Sequence, residues 1–123
     1  MPTIRALHHV ALTLPTERLA EARRFYSDVL GLEETPRPDA ELGRPGIWYR
    51  LGATELHLQC RDDAEPERSD RHPALVVDDV QALAAHLRAS GIEVIEAPTL
   101  LGRERCFCRD PFGNRIEFMT LPT

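Results

Sequence analysis

The chain has 123 residues, 42% of them hydrophobic and 28% charged, which is enough to bury one core and too short for two independent domains. Its formal charge of −5 sets 20 acidic residues against 15 basic ones, all arginine, and these do not cluster with aromatics, which argues against nucleic acid as a partner. No segment approaches about 18 consecutive apolar residues, and the N-terminal Met1-Pro2-Thr3-Ile4-Arg5 carries no leader pattern, so a cytoplasmic protein without membrane contact is expected.

In chain order, Leu7 to Leu14 reads as a first strand closed by Pro15, with Thr16 placed to cap the next element. From Glu17 to Leu30 the apolar positions Leu19, Ala22, Tyr26, Val29 and Leu30 recur at helical spacing, and Gly31 stands where a helix-ending glycine belongs. Leu32 to Thr35 suits a short strand. Pro36 to Gly46, with several prolines and glycines, reads as loop. Ile47 to Leu51 and Glu55 to Cys60 then form a hairpin across Gly52-Ala53-Thr54.

Arg61 to Arg71 is almost wholly charged or polar and reads as a solvated connection. The pattern then restarts. His72 to Val77 is a strand, Asp78 or Asp79 caps a helix with the apolar face Val80, Leu83, Ala84 and Leu87, and Gly91 ends it. Ile92 to Glu96, Arg103 to Arg109 and Asn114 to Leu121 supply three more strands, the last after the turn signal Asp110-Pro111-Phe112-Gly113-Asn114. The expected fold is α+β, with two tandem βαβββ modules (about 5–60 and 72–121, joined by 61–71) in a single domain over 1–123.

The modules match residue on residue. His9-Val10-Ala11-Leu12 aligns with His72-Pro73-Ala74-Leu75 at an offset of 63, and Gly31-Leu32-Glu33 with Gly91-Ile92-Glu93 at 60. At 60, His57-Leu58 falls on Glu117-Phe118. Duplicated modules put their special residues in pairs. Alternation sets His9, Glu55, His57, Gln59, His72 and Glu117 on the strand faces opposite the aliphatic side chains. Imidazoles with one carboxylate suit Zn, Ni, Fe, Mn or Co. His9, His72 and Glu117 are the candidate ligands of one divalent metal ion. His57 is a further ligand, a hydrogen-bond donor behind the ligands or a substrate contact. Glu55 and Glu117 are the candidate proton acceptors, and Gln59, Tyr49 and Arg115 candidate pocket residues for a small-molecule substrate. His8 and His86 lie off these faces and are expected in solvent. Cys60, Cys106 and Cys108 read as small apolar core residues, although Cys106 and Cys108 share a face on which they could bind metal or form a disulfide.

The strings His9-Val10-Ala11-Leu12, Phe25 to Leu32, His72 to Asp79 and Arg109 to Glu117 resemble the vicinal oxygen chelate superfamily, which holds glyoxalase I, extradiol dioxygenases, methylmalonyl-CoA epimerase, and fosfomycin and bleomycin resistance proteins. The resemblance implies that the paired modules curl into a curved, mostly antiparallel eight-stranded sheet around a concave metal site. Position by position, His9, His72 and Glu117 fall on its metal ligands. It further implies a metal-dependent lyase or isomerase that chelates adjacent substrate oxygens and stabilises an enolate, and commonly a homodimer. Glyoxalase I and the epimerase carry Glu or Gln where this chain has His57. That departure keeps open an extradiol-type dioxygenase with a two-His-one-carboxylate Fe(II) or Mn(II) site, and a non-catalytic binding or resistance protein.

Overall fold

The structure, a computed structural model, describes residues 1–64 and 68–121. The chain divides into two compact units, Met1–Glu65 and Pro66–Thr123. Glu65, Pro66 and Glu67 of the expected connection lie outside the described residues. Its described part, including Arg61, Asp62, Asp63, Arg68, Asp70 and Arg71, is largely exposed, as its composition dictates.

The first unit holds β1 (His9–Leu14), α1 (Leu19–Arg23), β2 (Glu33–Thr35), α2 (Asp39–Leu42), β3 (Gly46–Leu51) and β4 (Thr54–Cys60). Its sheet runs β1-β4-β3-β2, with β1 parallel to β4 and the other neighbours antiparallel. Period-two alternation fixes its faces: Leu14, Ile47, Tyr49, Leu56, Leu58 and Cys60 are buried on one side, where the helix supplies Ala22, Phe25 and Tyr26. Each of the larger aliphatic side chains and Phe25 contributes roughly 1.5–3 kcal/mol by leaving water.

The second unit repeats the plan with β5 (Ala74–Val76), α3 (Val80–Ala89), β6 (Ile95–Glu96), β7 (Arg105–Arg109) and β8 (Arg115–Met119), ordered β5-β8-β7-β6. Val80, Ala84 and Leu87 of α3 and Cys106, Phe107, Cys108, Ile116 and Phe118 of the sheet are buried apolar residues of this unit, as is Phe112 in the turn before β8. The expected α+β class is present as two four-stranded mixed sheets of βαβββ type with few helices.

Strand registers carry the duplication. Ala11 lies opposite His57, and Ala74 opposite Glu117. Trp48 lies opposite both His57 and Thr35, and Phe107 opposite both Glu117 and Ile95. Both offsets read from the sequence, 63 for the first strands and 60 for the last, are therefore built into the pairing.

Three details differ from expectation. The stretch from strand to helix-ending glycine is three residues longer in the first unit, and its helix absorbs them. It opens with a 3-10 turn at Thr16–Arg18, runs α over Leu19–Arg23 and widens to π geometry over Arg24–Val29. That widening adds about a residue per turn; Phe25 joins Tyr26 in the core, and Val29 and Leu30 are only half-buried. Gly31 and Gly91 end the two helical stretches with φ of 71° and 80°. Thr16 does not cap; its hydroxyl donates to Asp62 instead, at 2.8 Å. The expected loop 36–46 contains the single turn α2, whose Asp39 and Glu41 sit in the first turn where the helix dipole favours negative charge.

Candidate functional site

In the first unit the site face is a stack of rings across three strands. Trp48 of β3 and His57 of β4 are register partners, with ring centroids 4.2 Å apart and planes 6° from parallel. On the other side of His57, two residues along β1 from its partner Ala11, His9 stacks at 4.0 Å and 14°. His57 is thus sandwiched and only 5% exposed. Burial pulls its pKa below the ordinary imidazole value, outweighing the opposing hydrogen bond to Glu55, and the neighbouring His9 adds to the lowering. A neutral His57 donates Nε2–H to Glu55 Oε1 at 2.8 Å. The same bond holds the Glu55 carboxyl below its usual range. Glu55 is thus the acceptor that orients His57.

His8 is exposed, its Nδ1 3.0 Å from that of His9. A cavity of about 430 Å³ opens on this face, lined by the three stacked rings, Gln59, and Arg37 and Arg44 from the loop before β3. Trp48, Arg37 and Arg44 are not among the residues singled out from sequence. Trp48 had a usable signal, since the alternation that places Tyr49 in the core places Trp48 on the site face. Tyr49 does not line this cavity: it is fully buried, and its hydroxyl lies 2.7 Å from that of Ser27 on the helix.

In the second unit the corresponding positions hold a different pair. Glu117 of β8, 9% exposed, has Oε1 2.9 Å from Nε2 of His72, which stands just before β5. Nδ1–H of His72 donates to the carbonyl of Asp70 at 2.7 Å. That bond directs the remaining ring nitrogen at the carboxylate, the orientation that a metal-ligating histidine takes. Arg105 Nη1 lies 3.7 Å from Glu117 Oε2. Arg115 covers the ring of Phe107 at 4.1 Å, while its Nη1 meets Asp70 at 3.2 Å. The turn ahead of β8 is held by Asp110, whose buried carboxylate accepts from the backbone N–H groups of Phe112 and Asn114 and from the Asn114 amide.

Each unit fits a divalent ion differently. With metal bonds of about 2.1 Å, adjacent ligand atoms of an octahedron lie roughly 3 Å apart, and His72 Nε2 and Glu117 Oε1 match that spacing. His9 and His57 do not converge. Imidazole lone pairs lie in the ring plane, and two nearly parallel rings 4.0 Å apart aim theirs side by side. Among the described residues no group of three or more His, Cys, Asp or Glu side chains is arranged to hold a metal ion. Cys60, Cys106 and Cys108 are free and buried, and His86 is exposed on α3.

A family model described as the Glyoxalase/Bleomycin resistance protein/Dioxygenase superfamily matches residues 6–118. A solved protein from Bacillus anthracis, described as of the glyoxalase family, is 35% identical with a TM-score of 0.88, covering 98% of each chain. A glyoxalase family protein from Enterococcus faecalis is 27% identical with a TM-score of 0.70, covering 94% of this chain and 97% of its own. A lactoylglutathione lyase from Agrobacterium tumefaciens shares the fold at 22% identity, with a TM-score of 0.75 over 96% of this chain and 95% of its own. No protein of curated function matches the sequence.

Proposed function

This chain belongs to the glyoxalase/bleomycin resistance protein/dioxygenase superfamily, and we propose that it is a metal-dependent enzyme of glyoxalase type, a lyase or isomerase acting on a small substrate with two adjacent oxygens. The reading treats 1–123 as one domain, since the family match runs through both units. The observation that carries it is the His72–Glu117 pair: two donor atoms 2.9 Å apart, with the far side of the imidazole tied to the Asp70 carbonyl.

His72 and Glu117 are the donors from the second unit. His9, the repeat equivalent of His72 and exposed on β1, is proposed as a donor in its own right. A divalent ion held there would supply Lewis acidity to both substrate oxygens and so acidify the C–H between or beside them. Glu117 Oε2, on the oxygen turned away from His72, receives that proton, and Arg105 steadies the carboxylate. Glu55 orients His57, and the ring stack walls the substrate cavity. A cytoplasmic setting suits three unpaired thiols; among the described residues no helix is long and apolar enough to cross a membrane. A homodimer accords with the exposed faces of the edge strands β1 and β5, where His9, Ala11, Thr13, Ala74 and Val76 face solvent.

Elemental analysis by plasma mass spectrometry tests the reading, with wild type beside His9→Ala, His57→Ala, His72→Ala and Glu117→Ala. About one zinc, nickel or cobalt ion per chain is expected, lost in the His9, His72 and Glu117 variants and kept in His57→Ala. Iron or manganese bound by the same three residues would favour the dioxygenase. A protein that stays metal-free after reconstitution is a binder without this chemistry.

A further inference from the structure

We propose that the cavity of the first unit carries a carboxylate-binding subsite built on Arg37, which makes the substrate an organic acid. This deepens the function proposed above and rests on its reading of that cavity as the substrate site.

The Arg37 side chain is only 6% exposed, yet its hydrogen bonding is incomplete. Nη1 donates to Asp39 and, at 2.7 Å, to the carbonyl of Arg44. Nε–H is buried with no acceptor. Leaving such a donor unmet costs about 1–3 kcal/mol, more when the group is charged; Arg37 lines the cavity, so a small turn of its side chain would bring the buried Nε–H to a ligand oxygen there. The edge of the guanidinium that carries Nε presents two parallel N–H bonds, the pattern a carboxylate matches with its two oxygens.

The position is built. The guanidinium lies against Gly46, where a Cβ would stand 2.8 Å from Arg37 Cζ, 2.9 Å from Nε and 2.4 Å from the Leu58 carbonyl oxygen. Only glycine leaves this room. By register, Gly46 opposite Gln59 corresponds to Arg105 opposite Met119. Both units thus place a guanidinium at the same strand position, one on a side chain of the strand and the other brought over a glycine by the preceding loop. No acidic side chain lines the first unit's cavity among the described residues, and Arg44 adds a second cation. Gln59 offers an amide beside Arg37, and the rings of Trp48, His57 and His9 form a flat wall for the rest of the acid.

Trp48 is the only tryptophan in the chain and lines this cavity, so its fluorescence reports occupancy directly. Phenylacetate and its neutral amide, phenylacetamide, are titrated into protein stripped over a chelating resin. Saturable binding of the acid is expected, with the amide weaker by roughly tenfold or more. Arg37→Gln should remove most of that preference, while Arg61→Gln, an exposed arginine outside the cavity, should keep it. Equal binding of acid and amide to wild type, binding of neither, tighter binding of inorganic phosphate, or an Arg37→Gln variant of unchanged preference would overturn the proposal. The acid and amide comparison on wild type needs no variant to fold. His72→Ala separates the two readings: it should keep the acid preference whether or not the wild type holds metal, and Arg37→Gln should keep the wild-type metal content.

Discussion

Cys108 has no exposed surface, and burial, aided by the nearby Asp110 charge, pushes its thiol up to about 12 from an ordinary value of 9. Cys60 and Cys106 shift the same way for the same reason. A group whose folded pKa is raised contributes stability that is whole below its unfolded pKa and is lost as pH rises through the folded one. Unfolding free energy by denaturant titration should therefore hold steady up to about pH 9 and fall above it, with Cys108 alone accounting for about 4 kcal/mol by pH 12. Cys108→Ala should shrink the fall, and a thiol reagent at pH 8 should modify all three cysteines only after unfolding. Alternation along the strands made this burial legible, as it did the siting of His57 and Glu117 opposite the aliphatic faces. It did not show what each group would touch. Trp48 meets His57 only through the antiparallel pairing of β3 with β4, and His9 reaches the other face of the same ring only through the parallel pairing of β1 with β4. Arg37 was less legible still, because its place depends on Gly46, nine positions on, having no side chain.

The β7–β8 turn shows how a local motif positions a distant site. Asp110-Pro111-Phe112-Gly113-Asn114 reads as a turn from its residue types alone, but the fold adds that the Asp110 carboxylate is itself buried and takes two backbone N–H groups. Those bonds fix where β8 begins, and hence the register that sets Glu117 opposite both Phe107 and Ala74. Asp110→Ala removes the acceptor of both N–H groups and should cost about 2–4 kcal/mol in chemical denaturation. Asp110→Asn, which keeps one carbonyl oxygen, should cost less, and an equal loss in the two variants would show that the carboxylate does not hold the turn through these bonds. The first unit's helix departs from the expected plain α-helix, being π-helical from Arg24 onward. Phe25, not among the apolar positions expected for this stretch, is buried beside Tyr26, although its spacing of three from Ala22 fits a helical stripe. The Asp79 cap, whose side chain accepts from Ala82 N–H, came out as read because a capping residue acts within one turn.

Across the whole chain, the two units share one pairing scheme but carry unlike chemistry at equivalent places: His72 with Glu117 in one, His9 with His57 in the other. Duplication thus makes positions predictable without making roles predictable. The nearly parallel rings of His9 and His57 set their nitrogens side by side, whereas His72 and Glu117 bring two donor atoms to face each other. If the proposed metal binds the native chain and not the unfolded one, it stabilises folding by mass action, by about 2.7 kcal/mol at a free concentration a hundredfold above its dissociation constant. For a chain of this size that raises the melting temperature by roughly 10 °C. Scanning calorimetry of resin-stripped protein, with and without added zinc, nickel or cobalt, should show that rise in wild type and in His57→Ala. The rise should vanish in His72→Ala and Glu117→Ala, whose apo forms must first be shown to melt cooperatively. A rise that survives in Glu117→Ala would mean the ion binds elsewhere, and the pair at 2.9 Å would then be a hydrogen-bonded couple that closes the end of β8 on its own.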